Sequence, residues 1–155
     1  MICRGIRGIA HLAHVEGVPA PGAFSRATKH CGFVFVSGTG AGADDTGSGR
    51  GEATSSSAYE QTRGALENVA TILRRAGSSP RDIVNVSMLL TDKADYAECN
   101  RAYVQFFEEH GVTRALLPSR SSAMWAVPTD AKVAFSCIAV ETTKNKGTSA
   151  KVADI

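Results

Sequence analysis

The feature that most constrains the fold is a strand-forming segment followed, after a glycine-rich stretch, by an amphipathic helix. Residues 32–37 read Gly-Phe-Val-Phe-Val-Ser, an apolar and aromatic run typical of a buried strand. Ser57 and Glu60 form a capping box, which predicts that a helix begins there. Behind them, apolar and small residues recur along one helical face: Ala58, Thr62, Ala65, Val69, Ile72 and Ala76. Gly77 supplies a stop signal, so the pattern predicts a helix that ends just before it.

The same order of strand and helix recurs in the second half of the chain. Residues 82–90 alternate and are rich in Val and Ile, which predicts a strand. Asp92 or Asp95 can cap a second helix that runs to about His110 and ends at Gly111. Its apolar face carries Tyr96, Cys99, Asn100, Tyr103, Phe106 and Phe107. We interpret the aromatic residues of this face as core.

Further strand-forming segments flank these two units. Residues 22–29 are a plausible partner for the first strand, with a turn over 30–32. From Thr39 to Ser56 the chain is rich in Gly, Ser and Thr, which predicts a long exposed loop. Residues 119–127 and 131–141 are interpreted as a closing hairpin around the Pro-Thr-Asp of 128–130.

The predicted order β-β-α-β-α-β-β, with room for one more strand at the start, indicates an α+β fold with a mixed sheet. Both helices are expected on one face of that sheet. Either Phe33 and Phe35 or Val34 and Val36 would then face water, so we expect association with other copies of the chain. We divide the chain into an N-terminal strand or tail (1–21), one domain (22–141) and a flexible C-terminal tail (142–155).

Composition excludes several classes of protein. The 155 residues are 43% hydrophobic and 21% charged, as in an ordinary globular domain. Seventeen basic and fifteen acidic residues give a net charge of +2, and no basic cluster appears between Gly32 and Pro118, so nucleic acid is not expected as a partner. No apolar run approaches the roughly 20 residues that cross a bilayer, so no membrane association is expected.

The cysteine pattern and the first residues bear on location. The four cysteines, Cys3, Cys31, Cys99 and Cys137, are scattered, and we interpret them as reduced thiols in a cytoplasmic protein. The first fifteen residues contain Arg and His but no acid, which leaves a mitochondrial location as the alternative.

Common catalytic motifs do not occur. The chain has no GxSxG, HExxH, GxxxxGK[ST] or helix-opening GxGxxG motif. The glycine-rich residues 38–42 follow a strand, but the next helix begins too late for its N-terminus to hold a phosphate. The four histidines are dispersed, so a metal site formed by them is not expected.

Arg120 is the residue that most needs a partner. It lies in Pro-Ser-Arg-Ser-Ser (118–122), at the start of a predicted strand and among small hydroxyl residues. Its guanidinium has five donors in a fixed fork and keeps its charge, so a carboxylate would accept it bidentately. From the strand alone two readings stay open: an ion pair with Glu108, Glu109 or another subunit, and a ligand site.

An ordered set of segments resembles the reactive intermediate deaminase family, also called Rid, YjgF or endoribonuclease L-PSP. The segments are Ser37-Gly38 after an apolar strand, Gln-Thr-Arg-Gly-Ala-Leu-Glu-Asn-Val (61–69), Asp-Ile-Val (82–84), Asn-Arg-Ala-Tyr-Val-Gln-Phe-Phe (100–107) and Pro-Ser-Arg-Ser-Ser (118–122). The resemblance covers roughly residues 22–140. It implies a chorismate-mutase-like α+β fold that assembles as a homotrimer, with clefts between subunits.

The resemblance also implies the site residues. Arg120 matches an arginine that holds the carboxylate of an imine or enamine acid in deaminating members. Arg120 and Ser122 are assigned to catalysis. Substrate binding is assigned to Arg120 and to five further residues: Phe24, Ser37, Gly38, Asn100 and Ser121. The implied reaction hydrolyses a small 2-imino or 2-amino-enoic acid to a 2-oxo acid and ammonia, and it requires no metal or cofactor.

The chain departs from the family pattern at two places that matter for catalysis. Ser122 stands where deaminating members commonly have Cys, and Ala134 stands where they carry a glutamate that orients the water. The alternative is therefore a non-catalytic trimeric protein that binds small carboxylates. Endoribonuclease activity is a third hypothesis, for which the sequence offers no evident pair of histidines as general acid and base.

Overall fold

The computed structural model describes residues 13–14, 25–42, 57–112, 119–122 and 131–142, and of 13–14 and 119–122 it describes the backbone. In chain order the strands and α-helices are β1 (Ala13–His14), β2 (Ala27–His30), β3 (Phe33–Thr39), α1 (Ala58–Arg75), β4 (Ile83–Leu90), α2 (Tyr96–Glu109), β5 (Ser119–Ser122) and β6 (Val133–Val140). Short 3-10 turns at Pro80–Asp82 and Lys93–Asp95 precede β4 and α2. The predicted element order and α+β class are confirmed, and the additional strand at the start is β1.

The strands form one mixed sheet in the order β1-β2-β3-β6-β4-β5. Neighbours are antiparallel except β4 and β5, which are parallel and joined through α2. The predicted closing hairpin is therefore wrong, because β6 pairs with β3 and β4 rather than with β5. The helix-facing residues of β6 are apolar and buried, which suits a central strand, whereas the four-residue Ser-Arg-Ser-Ser of β5 suits an edge.

The two helices have the ends that the sequence predicts. Ser57 is the N-cap of α1 in extended conformation, and its carbonyl accepts a hydrogen bond from the N–H of Gln61 at 3.0 Å. The predicted side-chain capping hydrogen bond of Ser57 is not formed. Gly77 and Gly111 follow α1 and α2 with φ of +78° and +71°, the left-handed conformation that favours glycine at helix ends.

The hairpin of β2 and β3 turns at Cys31 and Gly32. Both have positive φ, 51° and 81°, as a two-residue turn between twisted strands requires. Cys31 is disulfide-bonded, so the expectation of reduced thiols throughout is wrong, while Cys99 and Cys137 are free and buried.

The core lies between the helices and one face of the sheet. The predicted apolar face of α1 is buried, and on α2 Tyr103 stacks on Phe135 of β6 with ring centroids 6.1 Å apart. On β3, Val34 faces this core, whereas Phe33 and Phe35 on the other face are 42% and 38% exposed. The sheet therefore presents an apolar face away from the helices, as the alternation in β3 predicts. Among the described residues no helix is long and apolar enough to span a bilayer.

Burial of the thiol of Cys137 predicts an alkaline stability effect. Burial raises its pKa from 9.0 to about 12. Above about pH 9 the unfolded chain loses this proton while the folded chain keeps it, so the free energy of unfolding falls as pH rises. At pH 10 this effect lowers the free energy of unfolding of the wild type by about 1 kcal/mol, and we expect Cys137→Val not to show this decrease. Urea unfolding of both proteins from pH 7 to 10 checks this, and parallel pH profiles would contradict it.

Candidate functional site

The predicted site residues fall into two groups that one chain does not bring together. Ser37 and Gly38 lie near the end of β3, whereas Arg120, Ser121 and Ser122 lie on β5 at the sheet edge. Strands β6 and β4 lie between them. Three spacings of about 4.8 Å put the two backbones about 14 Å apart. A site that uses both groups on one small ligand therefore needs a second subunit.

Ser37 and Gly38 form a β-bulge. Val36 pairs with Cys137 and Thr39 with Phe135, so two residues of β3 face the single Ser136 of β6. A bulge interrupts the ladder and leaves its extra residue unpaired. Both bulge residues are exposed.

The bulge is held by hydrogen bonds on its protein side. The N–H of Ser37 donates to the carbonyl of Arg26 at 2.8 Å, and its hydroxyl donates to the carbonyl of Ser25 at 2.7 Å. The hydroxyl of Thr39 donates to the carbonyl of Ser37 at 2.9 Å. In a planar trans peptide the C=O and the next N–H point in opposite directions. The N–H of Gly38 is therefore directed away from the Thr39 hydroxyl.

The chain that follows the bulge is packed against α1. The Asn68 amide donates to the carbonyls of Gly40 and Ala41 at 3.0 and 3.2 Å. Gly64 allows this approach, because a Cβ there would lie 3.2 Å from the Cβ of Ala41. The expected exposed loop therefore does not begin at Thr39, which is 2% exposed. Its later part, residues 43–56, lies outside the described residues.

Arg120 pairs in register with Met88 of β4, and Ser121 and Ser122 pair with Leu89 and Leu90. Leu89 also pairs with Ala134 of β6, so Ala134 and Ser121 share one row across three strands. One of the two acids considered as a partner for Arg120 is engaged elsewhere, since Glu109 pairs with Arg63 at 2.8 Å.

Asn100 and Phe24 are not placed beside the bulge. Asn100 lies on α2, half-buried, and accepts a hydrogen bond from the Tyr96 hydroxyl at 3.4 Å. Helix α2 packs on the sheet face opposite Phe35. Phe24 lies outside the described residues.

The beginning of β6 is anchored by polar contacts. The ammonium of Lys132 contacts both carboxylate oxygens of Asp95 at 3.2 and 3.0 Å, which raises the pKa of Lys132. The Lys132 N–H donates to the buried Gln61 side chain at 2.8 Å. These contacts tie the strand that carries Ala134 to α1 and to the turn that precedes α2. No cluster of His, Cys, Asp or Glu suited to a metal occurs in the described ranges.

Sequence reasoning missed Thr39, Asn68 and Gly64 as supports of the bulge. The sequence predicts a loop at Thr39 because glycines surround it. Regular alternation after Val34 and Val36 would turn residue 38 towards the helices. The bulge adds one residue to β3, so Thr39 takes that buried position instead.

The comparisons with known proteins agree with this architecture. The family model described as Endoribonuclease L-PSP matches residues 16–141. The chain belongs to this family. The resemblance expected from the sequence is confirmed.

Individual relatives are moderately similar. TdcF of Escherichia coli (strain K12) is 42% identical over 82 residues, which are 52% of this chain and 61% of TdcF. Reactive Intermediate Deaminase A, chloroplastic, of Arabidopsis thaliana is 32% identical over 130 residues, which are 83% of this chain and 64% of that protein. The crystal structure of E. coli TdcF with bound serine superposes with a TM-score of 0.65 and 32% identity, covering 83% of this chain and 96% of that one.

Because a side chain can be added at Gly38 without a clash, substitution there tests whether a ligand contacts the bulge. A Cβ at Gly38 would have no neighbour within 4 Å, so we expect Gly38→Ala to shift Tm by less than about 2 °C. Its added methyl should raise the Kd of 2-oxobutanoate about tenfold, because a close backbone contact is lost. Calorimetry checks both quantities.

Gly111→Ala is the matched control. It has φ of +71° and a Cβ position 2.5 Å from Arg81, so it should lower Tm without changing the Kd. An unchanged Kd in Gly38→Ala would contradict ligand contact at the bulge.

Proposed function

We propose that this protein is an enamine/imine deaminase that hydrolyses small 2-imino or 2-amino-enoic acids to 2-oxo acids and ammonia. The observation that supports this most directly is the rigid, exposed Ser37–Gly38 bulge in a member of a family that includes a reactive intermediate deaminase. TdcF, a relative of similar fold, has been crystallised with serine, which is a small amino acid carrying a carboxylate.

The proposed reaction requires few protein groups. An imine of this kind hydrolyses in water unaided, so catalysis consists of holding the acid and positioning one water at the C=N carbon. Arg120 holds the carboxylate bidentately. The N–H of Gly38 and the Ser121 and Ser122 hydroxyls are the proposed polar contacts that orient the rest of the ligand. The hydroxyl of Ser37 donates to Ser25, so it can still accept a hydrogen bond.

The separation of the two groups favours a site shared between subunits. In one chain β3 and β5 are about 14 Å apart, which exceeds the length of a small acid. A homotrimer that covers the apolar face around Phe33 and Phe35 would bring the β5 edge of one copy to the β3 bulge of the next. Phe24 and Asn100 are retained as proposed substrate-binding residues of this cleft.

A non-catalytic carboxylate-binding protein is the second candidate. It is favoured by Ala134, which is 5% exposed and carries no carboxylate to orient a water. Neither Leu89 nor Ser121, which share its row, supplies one. This candidate predicts saturable binding of 2-oxobutanoate that depends on Arg120, with no ammonia release above the uncatalysed rate.

The role of Arg120 is tested by ammonia release from 2-aminoacrylate or 2-iminobutanoate generated in situ. The rate without protein is subtracted as the uncatalysed background. We expect Arg120→Ala to lower kcat/KM about a hundredfold, because a bidentate pair of charge-assisted hydrogen bonds is lost. Arg120→Lys keeps the charge but loses the fork, so its rate should lie between the two.

Arg74→Ala is the control for loss of a positive charge. Arg74 is exposed on α1 and contacts Thr71, so the variant should keep the wild-type rate. Equal rates for wild type and Arg120→Ala would remove the proposal. Arg120-dependent binding without turnover would select the binding protein instead.

The proposed trimer is tested on the exposed sheet face. Phe35 is 38% exposed in the single chain, and Phe35→Asp should dissociate the assembly, because burying a charge in an apolar interface is unfavourable. Val104 on α2 is 40% exposed on the helical side, so Val104→Asp should leave the assembly intact. Sedimentation equilibrium measures both masses. A wild-type monomer, or dissociation by both variants alike, would contradict the proposed interface.

We keep the cytoplasm as the proposed location. The alternative is a mitochondrial location, since the first fifteen residues contain Arg and His but no acid. A fluorescent fusion to the C-terminus distinguishes the two.

A further inference from the structure

Thr39 places a hydroxyl in the core at the end of β3. The residue is 2% exposed, in a position that an apolar β-branched residue would fill at no polar cost. Its hydroxyl donates at 2.9 Å to the carbonyl of Ser37, two residues earlier. This bond satisfies the buried hydroxyl, and it also acts on the peptide that joins Ser37 to Gly38.

That peptide has few other constraints. The register shift between Val36 and Thr39 removes Ser37 and Gly38 from the ladder with β6. Ser37 is held to β2 through its N–H and its hydroxyl, and both of these lie before the peptide. Gly38 has no Cβ to restrict its φ and ψ. The Thr39 bond therefore restrains the Ser37 carbonyl and, with it, the Gly38 N–H.

The chain on the far side is fixed independently. The amide of Asn68 holds the carbonyls of Gly40 and Ala41 at 3.0 and 3.2 Å. The Ser37–Gly38 peptide lies between these two fixed flanks, and rotating it as a unit would break the hydrogen bond of Thr39 to the Ser37 carbonyl. The Thr39 hydroxyl opposes that rotation.

From this geometry we infer that Thr39 is a positioning residue, whose hydroxyl holds the Gly38 N–H in the orientation that donates to the ligand. The inference rests on the proposed function, because it assumes that a small acid binds at the bulge. Thr39 itself is buried and touches no ligand. It acts through the peptide, by keeping the donor pre-oriented before the ligand arrives.

Two substitutions separate this role from a merely structural one. Thr39→Val keeps the shape and the β-branch but removes the hydroxyl, so Tm should equal or exceed that of the wild type. Thr39→Ser keeps the hydroxyl but leaves a methyl-sized void, so Tm should fall. In Tm, Thr39→Val thus ranks above Thr39→Ser. In kcat/KM, or in the association constant of 2-oxobutanoate, we expect Thr39→Ser to rank above Thr39→Val. Thr39→Val should lose about tenfold, the order expected for one neutral hydrogen bond, and Thr39→Ser should stay near the wild type.

The NMR resonance of the Gly38 amide supplies a readout that needs no ligand. If the Thr39 hydroxyl restrains the peptide, the Gly38 resonance should shift or broaden in Thr39→Val and match the wild type in Thr39→Ser. The amides of α1 should be unchanged in both.

Two results would overturn the inference. The first is an activity order that follows the Tm order, with Thr39→Ser the more impaired, since that is the signature of packing alone. The second is a Gly38 amide unaffected in Thr39→Val. If the wild type neither binds nor turns over a small acid, this inference falls together with the proposed function. That case is recognised because Arg120→Ala then also matches the wild type.

Discussion

The structure depends on the double pairing of β6, which joins β3 on one side and β4 on the other. Strands β1 to β3 precede α1, β4 precedes α2, and β3 and β4 are not neighbours in the sheet. β6 closes the gap between β3 and β4, and its Phe135 packs under Tyr103 of α2. The last described strand in sequence is thus one of the two central strands in space. Lys132 anchors its start through Asp95 and Gln61.

The position of β6 also arranges the candidate site. Because β6 and β4 lie between β3 and β5, the bulge and Arg120 stand apart within one chain. Because Ser136 faces two residues of β3, the ladder opens at Ser37 and Gly38 and leaves them exposed. If one small ligand used both groups, the site would have to lie between copies of the chain, and the bulge would offer it exposed backbone. Phe33 and Phe35 are exposed on the sheet face away from the helices, and an apolar face of this kind favours association between copies.

The two candidate functions differ in what they require of the same cleft. In the proposed function, binding a small acid uses the Arg120 fork and the Gly38 N–H. The structure gives the register of Arg120 on β5 and the Thr39 hydrogen bond at the bulge. Hydrolysis needs a positioned water as well, and Ala134 supplies no acceptor for it. A deaminase of this chain would therefore rely on backbone groups and hydroxyls, with Thr39 keeping the backbone donor in place. Because such an imine also hydrolyses without a protein, a modest rate acceleration is sufficient for this function.

Local pattern was sufficient for much of this protein. Helical spacing and stop glycines located α1 and α2 to within a few residues, and alternation in β3 separated Val34 from Phe35. These properties follow from interactions between near neighbours in the chain, which sequence displays directly. The ordered segments around Ser37 and Arg120 were also enough to indicate the family. The assignment of roles to the site residues stays a prediction.

Pairing between distant strands is what the sequence could not display. Nothing in residues 119–141 distinguishes a closing hairpin from a strand that inserts between β3 and β4, because register depends on partners far along the chain. The bulge is of the same kind, since it exists only where two residues of β3 meet one of β6. The sequence by itself determined the elements, the buried faces and the family. Only the tertiary structure decided which strands are neighbours, that Thr39 is buried against the Ser37 carbonyl, and that the two halves of the proposed site lie too far apart for one chain to close.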